Sequence, residues 1–446
     1  MTYLLHRSTR AKLDLGVSGK GIYIHLADGR RVIDASGGPA VACIGHGNAR
    51  VADAMAEQAK KIAFMHNMFF TSEPAEALGE LLVGEEPGGL CRVFLVSSGS
   101  EAMEACLKMA LQYHTESGEP QRTHFISRWQ GYHGNTFGAL SASGHRARRS
   151  IYEPVLMQSF SHVSPCFPFH HKPDGQSDEN YVATLAQELE NEFARVGPNR
   201  VAAFVAETVV GASTGCVTAV PGYFKAIREV CDRHGALLIL DEVMCGMGRT
   251  GRTHAWEYEG VSPDLQAVAK GMGGGYGSVG AMLISRKVIE ALENGTGVFV
   301  HGHTYQAHPV AAAAALEVQR IIREEDLIGN VQKLSPVLTG MLADRFSQHP
   351  HVADIRGRGF FIALEFQQDR ETKTSFAPER QFSDRLRRVG LENGIAIYPN
   401  GGTIDGARGD HVIIAPPFNV TAGEIEEIVS RLERSINKTV ELVGAA

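Results

Sequence analysis

Two neighbouring stretches of the sequence decide the fold: LLILDEVMCGMGRTG, residues 237–251, and PDLQAVAKG, residues 263–271. Each runs from apolar residues into a polar or glycine-rich loop. Continuous apolar runs of this length suit strands that are buried on both faces of a sheet. We therefore place Asp241 and Lys270 where two such strands end.

The same pattern recurs elsewhere in the chain. RVFLV, residues 92–96, precedes the helical segment SSGSEAMEACLKMAL, and AAFVAE, residues 202–207, precedes a predicted helix over residues 223–234. Short apolar runs that alternate with helices predict an α/β fold, with a mainly parallel central sheet covered by helices. In such sheets ligands bind at the carboxyl ends of the strands.

The flanking segments predict a second, smaller domain. GIYIHLADGRRVIDASGG, residues 21–38, favours two strands around the turn Asp28-Gly29, and a helical pattern follows. The alanine-rich segment 308–338 predicts a helix that is interrupted or ended near Pro336. We predict an N-terminal arm over 1–60 that is part of the small domain, a large domain over 61–325 and a C-terminal small domain over 326–446.

Composition narrows the classes of function. The chain of 446 residues has a formal net charge of −7, and its lysines and arginines are spread along the sequence, which argues against nucleic acid as a partner. Seven scattered cysteines indicate neither a disulfide framework nor a thiolate metal site, and they suit a reducing cytoplasm. No apolar run reaches the roughly 18 residues of a membrane span, and the N-terminus is polar, so we expect neither membrane insertion nor export.

The segment 96–102, VSSGSEA, offers a place for a phosphate. A buried strand breaks there at small residues before a helix begins, so free backbone N–H groups, the helix dipole and the Ser100 hydroxyl would favour a dianion. An ordinary N-cap, with Ser98 or Ser100 capping and Glu101 in the first turn, explains the same residues.

Asp241 and Lys270 also have two interpretations each. A carboxylate after a strand suits a protonated heterocyclic nitrogen, and it equally suits Mg²⁺ beside a nucleotide. A lysine between apolar residues and glycines is a competent imine-forming nucleophile, although most lysines are solvated surface residues. Together, a phosphate cradle, a carboxylate and a lysine at strand ends are the protein parts that pyridoxal chemistry requires.

Over nearly its whole length the chain resembles the class III pyridoxal-phosphate-dependent aminotransferases, the ω-amino acid and amine type, of fold type I. The resemblance rests on the spacing from Asp241 to Lys270 and on the intervening GRTG. It implies pyridoxal 5′-phosphate as cofactor and Lys270 as the residue that forms the internal aldimine and shuttles a proton. It implies further cofactor-binding roles for these residues: Asp241 at the pyridine nitrogen, Val243 and Tyr132 on the two ring faces, Ser98, Gly99 and Ser100 at the phosphate, and His133 and Glu207 nearby.

Two further positions follow from the same resemblance. Thr304 in HGHTYQAH matches a threonine that reaches the phosphate of the neighbouring subunit's cofactor, which implies a homodimer. The family usually has proline after the acidic residue matched by Glu207, whereas this chain has Thr208, which leaves the orientation of Glu207 open.

Substrate recognition is predicted at Arg408 and Ala40. A bidentate ion pair between an arginine and the carboxylate is a common way to recognise a keto acid. Arg408 lies close to where the family often places this arginine, and Arg356 and Arg358 are alternative candidates. Relatives that act on bulky aryl amines often carry a large aromatic near position 40, so the small Ala40 predicts a wider pocket on that side.

Two other motifs have plainer interpretations. The run 275–280 spells G-x-G-x-x-G, but it lies in a glycine-rich loop before the strand-like AMLIS, whereas a dinucleotide fingerprint follows a strand and opens a helix. His301 and His303 could suggest a metal, yet the family match makes them loop residues, and we predict no metal.

We therefore predict an aminotransferase that moves an amino group from an amine or ω-amino acid to pyruvate or 2-oxoglutarate by a ping-pong mechanism. A pyridoxal-phosphate-dependent aminomutase, racemase or decarboxylase on the same fold is the alternative, because one cofactor adduct permits several bond cleavages. A binding protein that kept the fold without catalysis is a third class, and it would not need Lys270.

Overall fold

The structure, a computed structural model, describes residues 3–444. Its strands are β1 (Gly16–Lys20), β2 (Tyr23–Leu26), β3 (Arg31–Asp34), β4 (Leu90–Val96), β5 (His124–Arg128), β6 (Phe160–Val163), β7 (Val201–Glu207), β8 (Val209–Val210), β9 (Val217–Thr218), β10 (Leu237–Asp241), β11 (Leu265–Val268), β12 (Gly280–Ser285), β13 (Val352–Arg358), β14 (Phe361–Phe366), β15 (Ile395–Ala396), β16 (Tyr398–Gly401) and β17 (Asp410–Ile414). Its helices are α1 (Gly37–Ala40), α2 (Ala49–Lys61), α3 (Glu73–Val83), α4 (Gly99–Glu116), α5 (Phe137–Ala142), α6 (Arg146–Arg149), α7 (Pro168–His171), α8 (Asp178–Val196), α9 (Tyr223–His234), α10 (Arg286–Asn294), α11 (Pro309–Glu324), α12 (Leu327–Phe346), α13 (Phe382–Glu392) and α14 (Ala422–Gly444).

The central sheet has seven strands in the order β4-β12-β11-β10-β7-β5-β6. Strand β12 runs antiparallel to both of its neighbours, and the pairs from β11 to β6 are parallel. The register pairs Asp241 with Glu207 on one side and with Ala267 on the other. The predicted α/β class with a mainly parallel sheet is confirmed, and the ends of β7, β10 and β11 meet at one edge.

Both faces of this sheet are buried. In β10, Leu238 and Leu240 pack into one apolar cluster and Leu237 and Ile239 into another, as the alternation of side chains along a strand requires. Helices α8 and α9 contribute to the first cluster, and α4 contributes to the second. Burial on both faces is why these strands are apolar at consecutive positions.

The N-terminal hairpin packs with the C-terminal part of the chain. Strands β2 and β3 pair antiparallel around the predicted turn, where Gly29 has φ +88°, and β3 continues in parallel pairing with β15. The C-terminal sheet has the antiparallel order β13-β14-β17-β16, and α13 packs against α14 beside it. The domain boundaries at 60 and 325 stay a prediction.

The helical break after the alanine-rich segment was predicted at the wrong residue. Helix α11 ends at Glu324 and α12 begins after Asp326, which has φ +46° and caps α12 by accepting from the Gly329 amide at 3.3 Å. Pro336 lies inside α12 on its exposed side, where water can satisfy the carbonyl that loses its N–H partner.

Among residues 3–444, no helix is long and apolar enough to cross a membrane.

Candidate active site

A cavity of about 300 Å³ lies at the carboxyl edge of the central sheet. Its walls come from strand ends, from the start of α4 and from the loops before α5 and β12. The residues that line it are Val41, Ser97, Ser98, Gly99, Ser100, Tyr132, His133, Gly134, Glu207, Asp241, Val243, Met244, Ala269, Lys270, Gly277, Ser278 and Val279. Nine of the residues predicted from the sequence thus come together in one cavity.

Lys270 follows β11 at the turn that leaves the sheet. Its backbone has φ +41°, an unusual conformation for a residue with a side chain, and such strained positions cluster at functional sites. Within residues 3–444 its amine has no hydrogen-bond or ion-pair partner. The carboxylates of Asp241 and Glu207 act on it through their charges alone. Burial lowers the pKa of the amine, and the two carboxylates oppose that shift.

Asp241 ends β10 and is almost fully buried. Its Oδ1 accepts the backbone N–H of Val243 at 3.0 Å, and its Oδ2 lies 2.9 Å from Nδ1 of His133, which donates to it. The amide of His133 donates in turn to the Ser143 hydroxyl at 2.7 Å. These contacts fix the carboxylate in its orientation, so its charge is available to a cationic ring nitrogen in the cavity.

The start of α4, the predicted anion site, is capped by Ser98. Ser98 caps the helix by accepting from the Glu101 amide at 3.2 Å, and the Ser100 hydroxyl accepts from the Asn135 amide at 3.1 Å. The amides of Gly99 and Ser100 lie in the first turn, where helical N–H groups have no intrahelical acceptor. Both hydroxyls keep their own protons for donation, so the cap and the phosphate cradle are compatible.

Val243 and Tyr132, the predicted ring-face residues, both line the cavity. Val243 sits so close to Gly99 that a Cβ atom at position 99 would lie 2.8 Å from its Cγ1. Tyr132 is half-buried and carries the guanidinium of Arg148 above its ring, 4.5 Å from the centroid. A cavity lined by an aliphatic and an aromatic side chain, a carboxylate, a lysine and a helix start has the groups that a phosphorylated pyridine aldehyde requires.

Glu207 is oriented by backbone amides. Its Oε1 accepts from the Tyr132 amide at 3.0 Å and its Oε2 from the Gly211 amide at 2.7 Å, while burial raises the pKa of the carboxyl group. Thr208, in place of the usual proline, donates its hydroxyl to Oε1 of the fully buried Glu242 at 2.8 Å. The sequence left the orientation of Glu207 open, and the hydrogen bonds from the Tyr132 and Gly211 amides fix it.

Three predicted residues lie outside the cavity lining. Thr304 is exposed on the surface of this chain. Arg408 is also exposed, with 64% of its side chain accessible, and its Nε donates to Asp405 at 2.7 Å. Ala40 is buried next to Val41, has φ +63° and packs in a cluster with Met244. Their roles stay predictions.

Sequence reasoning missed several lining residues. Met244 follows the ring-facing Val243 by one position, and Val41 follows Ala40, so both could have been found by extending a matched motif by one residue. Ser278 lies in the G-x-G-x-x-G run and donates to the Ser97 carbonyl at 2.8 Å, which ties that loop to the phosphate cradle. The run ends at β12, as predicted, and opens no helix.

The chain is similar to known aminotransferases over almost its full length. The sequence model described as aminotransferase class-III matches residues 8–436. An uncharacterized aminotransferase of Schizosaccharomyces pombe is 49% identical over 98% of this chain and 95% of the relative. Putrescine–pyruvate aminotransferase of Pseudomonas aeruginosa is 33% identical over 96% and 91%. The solved amine transaminase of an uncultivated Pseudomonas species, in its PLP-bound form, has a TM-score of 0.91 and 33% identity, covering 98% and 99%.

Proposed function

Because the chain belongs to the class III aminotransferase family, we propose that it moves an amino group from an amine or ω-amino acid to pyruvate or 2-oxoglutarate. Enzymes of this family depend on pyridoxal 5′-phosphate, which is the cofactor of this chain as well. The observation that carries the proposal is one cavity that joins the Lys270 amine, the Asp241 carboxylate and the start of α4.

The chemistry divides between cofactor and protein. When bound, the cofactor supplies an aldehyde that takes up the amino group and a ring that withdraws electrons from the substrate carbon. Lys270 is a nucleophile because burial favours its neutral amine, and its Nζ then carries a proton to and from the reacting carbon atoms. Asp241 holds the ring nitrogen in its protonated state, and His133 keeps that carboxylate in place.

The remaining residues bind and orient. The amides of Gly99 and Ser100 and the two serine hydroxyls hold the phosphate, while Val243 and Tyr132 confine the ring. Glu207, fixed by two amides, closes the wall beside the ring. We propose a ping-pong cycle on this basis, since one cavity has to accept the donor and the acceptor in turn.

Absorption spectroscopy of the holoenzyme tests the proposal. A donor such as putrescine should convert the bound cofactor to its pyridoxamine form in one turnover, and pyruvate or 2-oxoglutarate should reverse the change. Lys270→Met should abolish the conversion, whereas Lys287→Met, which removes a half-exposed lysine beside Asp264, should keep it. Loss of carbon dioxide, racemisation or migration of the amino group without stable conversion would instead establish the alternative reactions.

We propose a homodimer in which Thr304 completes the phosphate site of the neighbouring subunit. The support is an apolar strip, formed by Phe64, Met68, Phe69, Phe70 and Tyr305, which is exposed in the single chain. Met68 and Phe69 are 80% and 74% exposed, and soluble monomers rarely expose contiguous apolar surface of this kind. The strip contacts the segment that carries Thr304, since Asn67 donates to the His303 carbonyl at 3.3 Å.

Light scattering at micromolar protein concentration tests the assembly. Phe69→Asp should shift the protein from dimer to monomer and weaken cofactor binding, while Thr304→Val should leave the dimer intact and weaken cofactor binding alone. Thr304→Ser keeps the hydroxyl and should bind the cofactor as the parent protein does. A parent protein that is monomeric and fully active would contradict the assignment.

We also propose the cytoplasm as the location of this enzyme. All seven cysteines are unpaired and buried, as expected of a protein that folds in a reducing compartment.

A further inference from the structure

Arg148 has an unusual environment for a charged residue. It lies in α6, is half-buried, and places its guanidinium carbon 4.5 Å from the centre of the Tyr132 ring. Within residues 3–444, no carboxylate, carbonyl or hydroxyl oxygen forms a hydrogen bond or ion pair with this guanidinium. The guanidinium therefore has five N–H donors with no protein acceptor, and they are available to an anion.

The neighbouring arginines show the contrast. Arg149 donates to the carbonyls of Ser141 and Ser143 at 2.9 and 2.7 Å and pairs with Glu153. Arg146 also stacks on an aromatic ring, but its side chain is exposed to water. Arg148 is thus the member of α6 that combines partial burial with a guanidinium lacking an oxygen partner.

Arg148 also lies near the reacting amine. Tyr132, on which it stacks, lines the cavity that contains Lys270, and the positive charge of Arg148 is among the causes that lower the pKa of that amine. The loop that carries Arg408 packs against the same helix, because a Cβ atom at Gly406 would lie 3.1 Å from the Ala147 amide nitrogen. Arg148 therefore sits where α6, the Tyr132 wall and this loop meet.

Arg408, the residue predicted from the sequence to bind a carboxylate, is already engaged. Asp405 accepts its Nε at 2.7 Å and also accepts the backbone amides of Ala407 and Arg408 at 3.0 and 2.8 Å. Recruiting the Arg408 side chain to a substrate would break its contact with Asp405. Arg148 has no such contact to give up.

We propose that Arg148 binds the carboxylate of the keto acid acceptor, and of amino acid donors that carry one, at the mouth of the cavity beside Tyr132. This inference rests on the proposed aminotransferase function and adds the residue that recognises the substrate carboxylate. The α-carboxylate is the group that pyruvate and 2-oxoglutarate share, and a guanidinium matches it with two parallel N–H donors. Stacking on Tyr132 fixes the guanidinium plane and so reduces the entropy lost on binding.

The test separates the two half-reactions of the holoenzyme. Arg148→Gln should raise KM for pyruvate by about 10- to 100-fold, the loss expected for a hydrogen-bonded ion pair. It should leave the single-turnover conversion by a monoamine without a carboxylate unchanged within about twofold. Arg148→Lys keeps the charge but loses the paired donors, so its KM should lie between those of Arg148→Gln and the parent.

A binding measurement supplements the kinetics. Propanoate, which carries a carboxylate and no reactive carbonyl, should inhibit competitively against pyruvate, and its inhibition constant should rise in Arg148→Gln in parallel with KM. Arg146→Gln, an exposed arginine of the same helix, is the matched control and should change neither value.

The outcomes are distinct. If Arg148→Gln leaves both KM for pyruvate and propanoate inhibition unchanged, or if Arg408→Gln raises them more than Arg148→Gln does, the inference is wrong while the aminotransferase function stands. If the monoamine half-reaction disappears in Arg148→Gln, the residue supports the cavity rather than the carboxylate, which also overturns it. If no amine or amino acid donor converts the bound cofactor of the parent protein to its pyridoxamine form, the proposed function itself fails.

Discussion

Substituting Gly99 by alanine should damage the cofactor site through a single methyl group. Gly99 is the first residue of α4, directly after the cap Ser98, and its backbone is compatible with alanine. The new Cβ atom would lie 2.8 Å from Cγ1 and 3.1 Å from Cγ2 of Val243, and 3.6 Å from Cβ of Ala269. Because valine has one strongly preferred rotamer, Val243 has to move as a unit, and the free space on its other side is the cavity.

The size of the effect follows from two opposing contributions. An extra methyl group forced into a packed site costs about 1–3 kcal/mol. The gain in helix propensity from glycine to alanine is at most about 1 kcal/mol, and it stabilises the fold rather than the complex with the cofactor. We therefore expect the dissociation constant for pyridoxal 5′-phosphate to rise by about 10- to 100-fold.

Titration of the apoenzyme with the cofactor, followed by absorbance and by quenching of protein fluorescence, measures this constant directly. Gly340→Ala is the matched control, because Gly340 is inside α12 and the added methyl group would have no atom within 4 Å apart from its chain neighbours and the backbone of its own helix. The double variant Gly99→Ala with Val243→Ala removes the atoms that collide, so it should bind the cofactor better than Gly99→Ala alone.

The result that refutes this reasoning is specific. Gly99→Ala with the affinity of the parent would show that Val243 relaxes without entering the ring space. A double variant that binds no better than Gly99→Ala would show that the damage arises at the phosphate rather than at the ring face.

Three further predictions concern stability and pH. Thr208→Val should lower the free energy of unfolding by about 1.5–3 kcal/mol, because Glu242 loses a hydrogen bond in a fully buried site. Thr208→Ser keeps the hydroxyl and should lower it by only about 1 kcal/mol. Urea unfolding compares the two variants, and equal stabilities would contradict the role of the hydroxyl. Gly340→Ala should stabilise the protein by about 0.5–1 kcal/mol in the same assay, and a loss of stability would mean that α12 is not regular there. In the apoenzyme, the reaction of Lys270 with cyanate should have its pH midpoint below that of an ordinary lysine amine, because burial lowers the pKa of Lys270. Asp241→Asn should move the midpoint lower still, because the Asp241 carboxylate raises that pKa. Peptide mass spectrometry follows the reaction, and a midpoint at the ordinary value would contradict the effect of burial.

Some helices and strands were predictable from the local residue pattern alone. The helix Tyr223–His234 has the predicted bounds, and the strand Leu237–Asp241 lies one residue beyond the predicted run 236–240, because burial on both sheet faces and the glycines flanking the helix are properties of the residues themselves. The direction of β12 is different. Its sequence is as apolar as that of a parallel strand, and only its pairing with β4 and β11 makes it antiparallel. Pro336 shows the same limit, since an exposed helix face tolerates a proline that a buried face would not.

The cofactor end of the site was predictable because parallel strands bring their carboxyl ends together. Once Asp241 and Lys270 are assigned to strand ends, topology places them in one cavity. Contacts between residues far apart in the chain had no such signal. The pairing of His133 with Asp241 and the stacking of Arg148 on Tyr132 depend on how the loops after β5 fold back over the sheet.

The two ends of the cavity are consequently held by different kinds of structure. The register that pairs Asp241 with Glu207 belongs to the sheet, whose backbone ladder fixes the positions of these two residues. The loop that carries Arg408 is held by side-chain contacts: Gln130 donates its amide to the Gly402 carbonyl at 2.9 Å, which ties this loop to the segment before Tyr132. A change in one such contact can reposition the residues that meet the substrate without disturbing the cofactor. The sheet therefore positions the residues proposed to define the reaction class, and we expect the choice of amine and acceptor to depend on loop contacts that the sequence pattern does not specify.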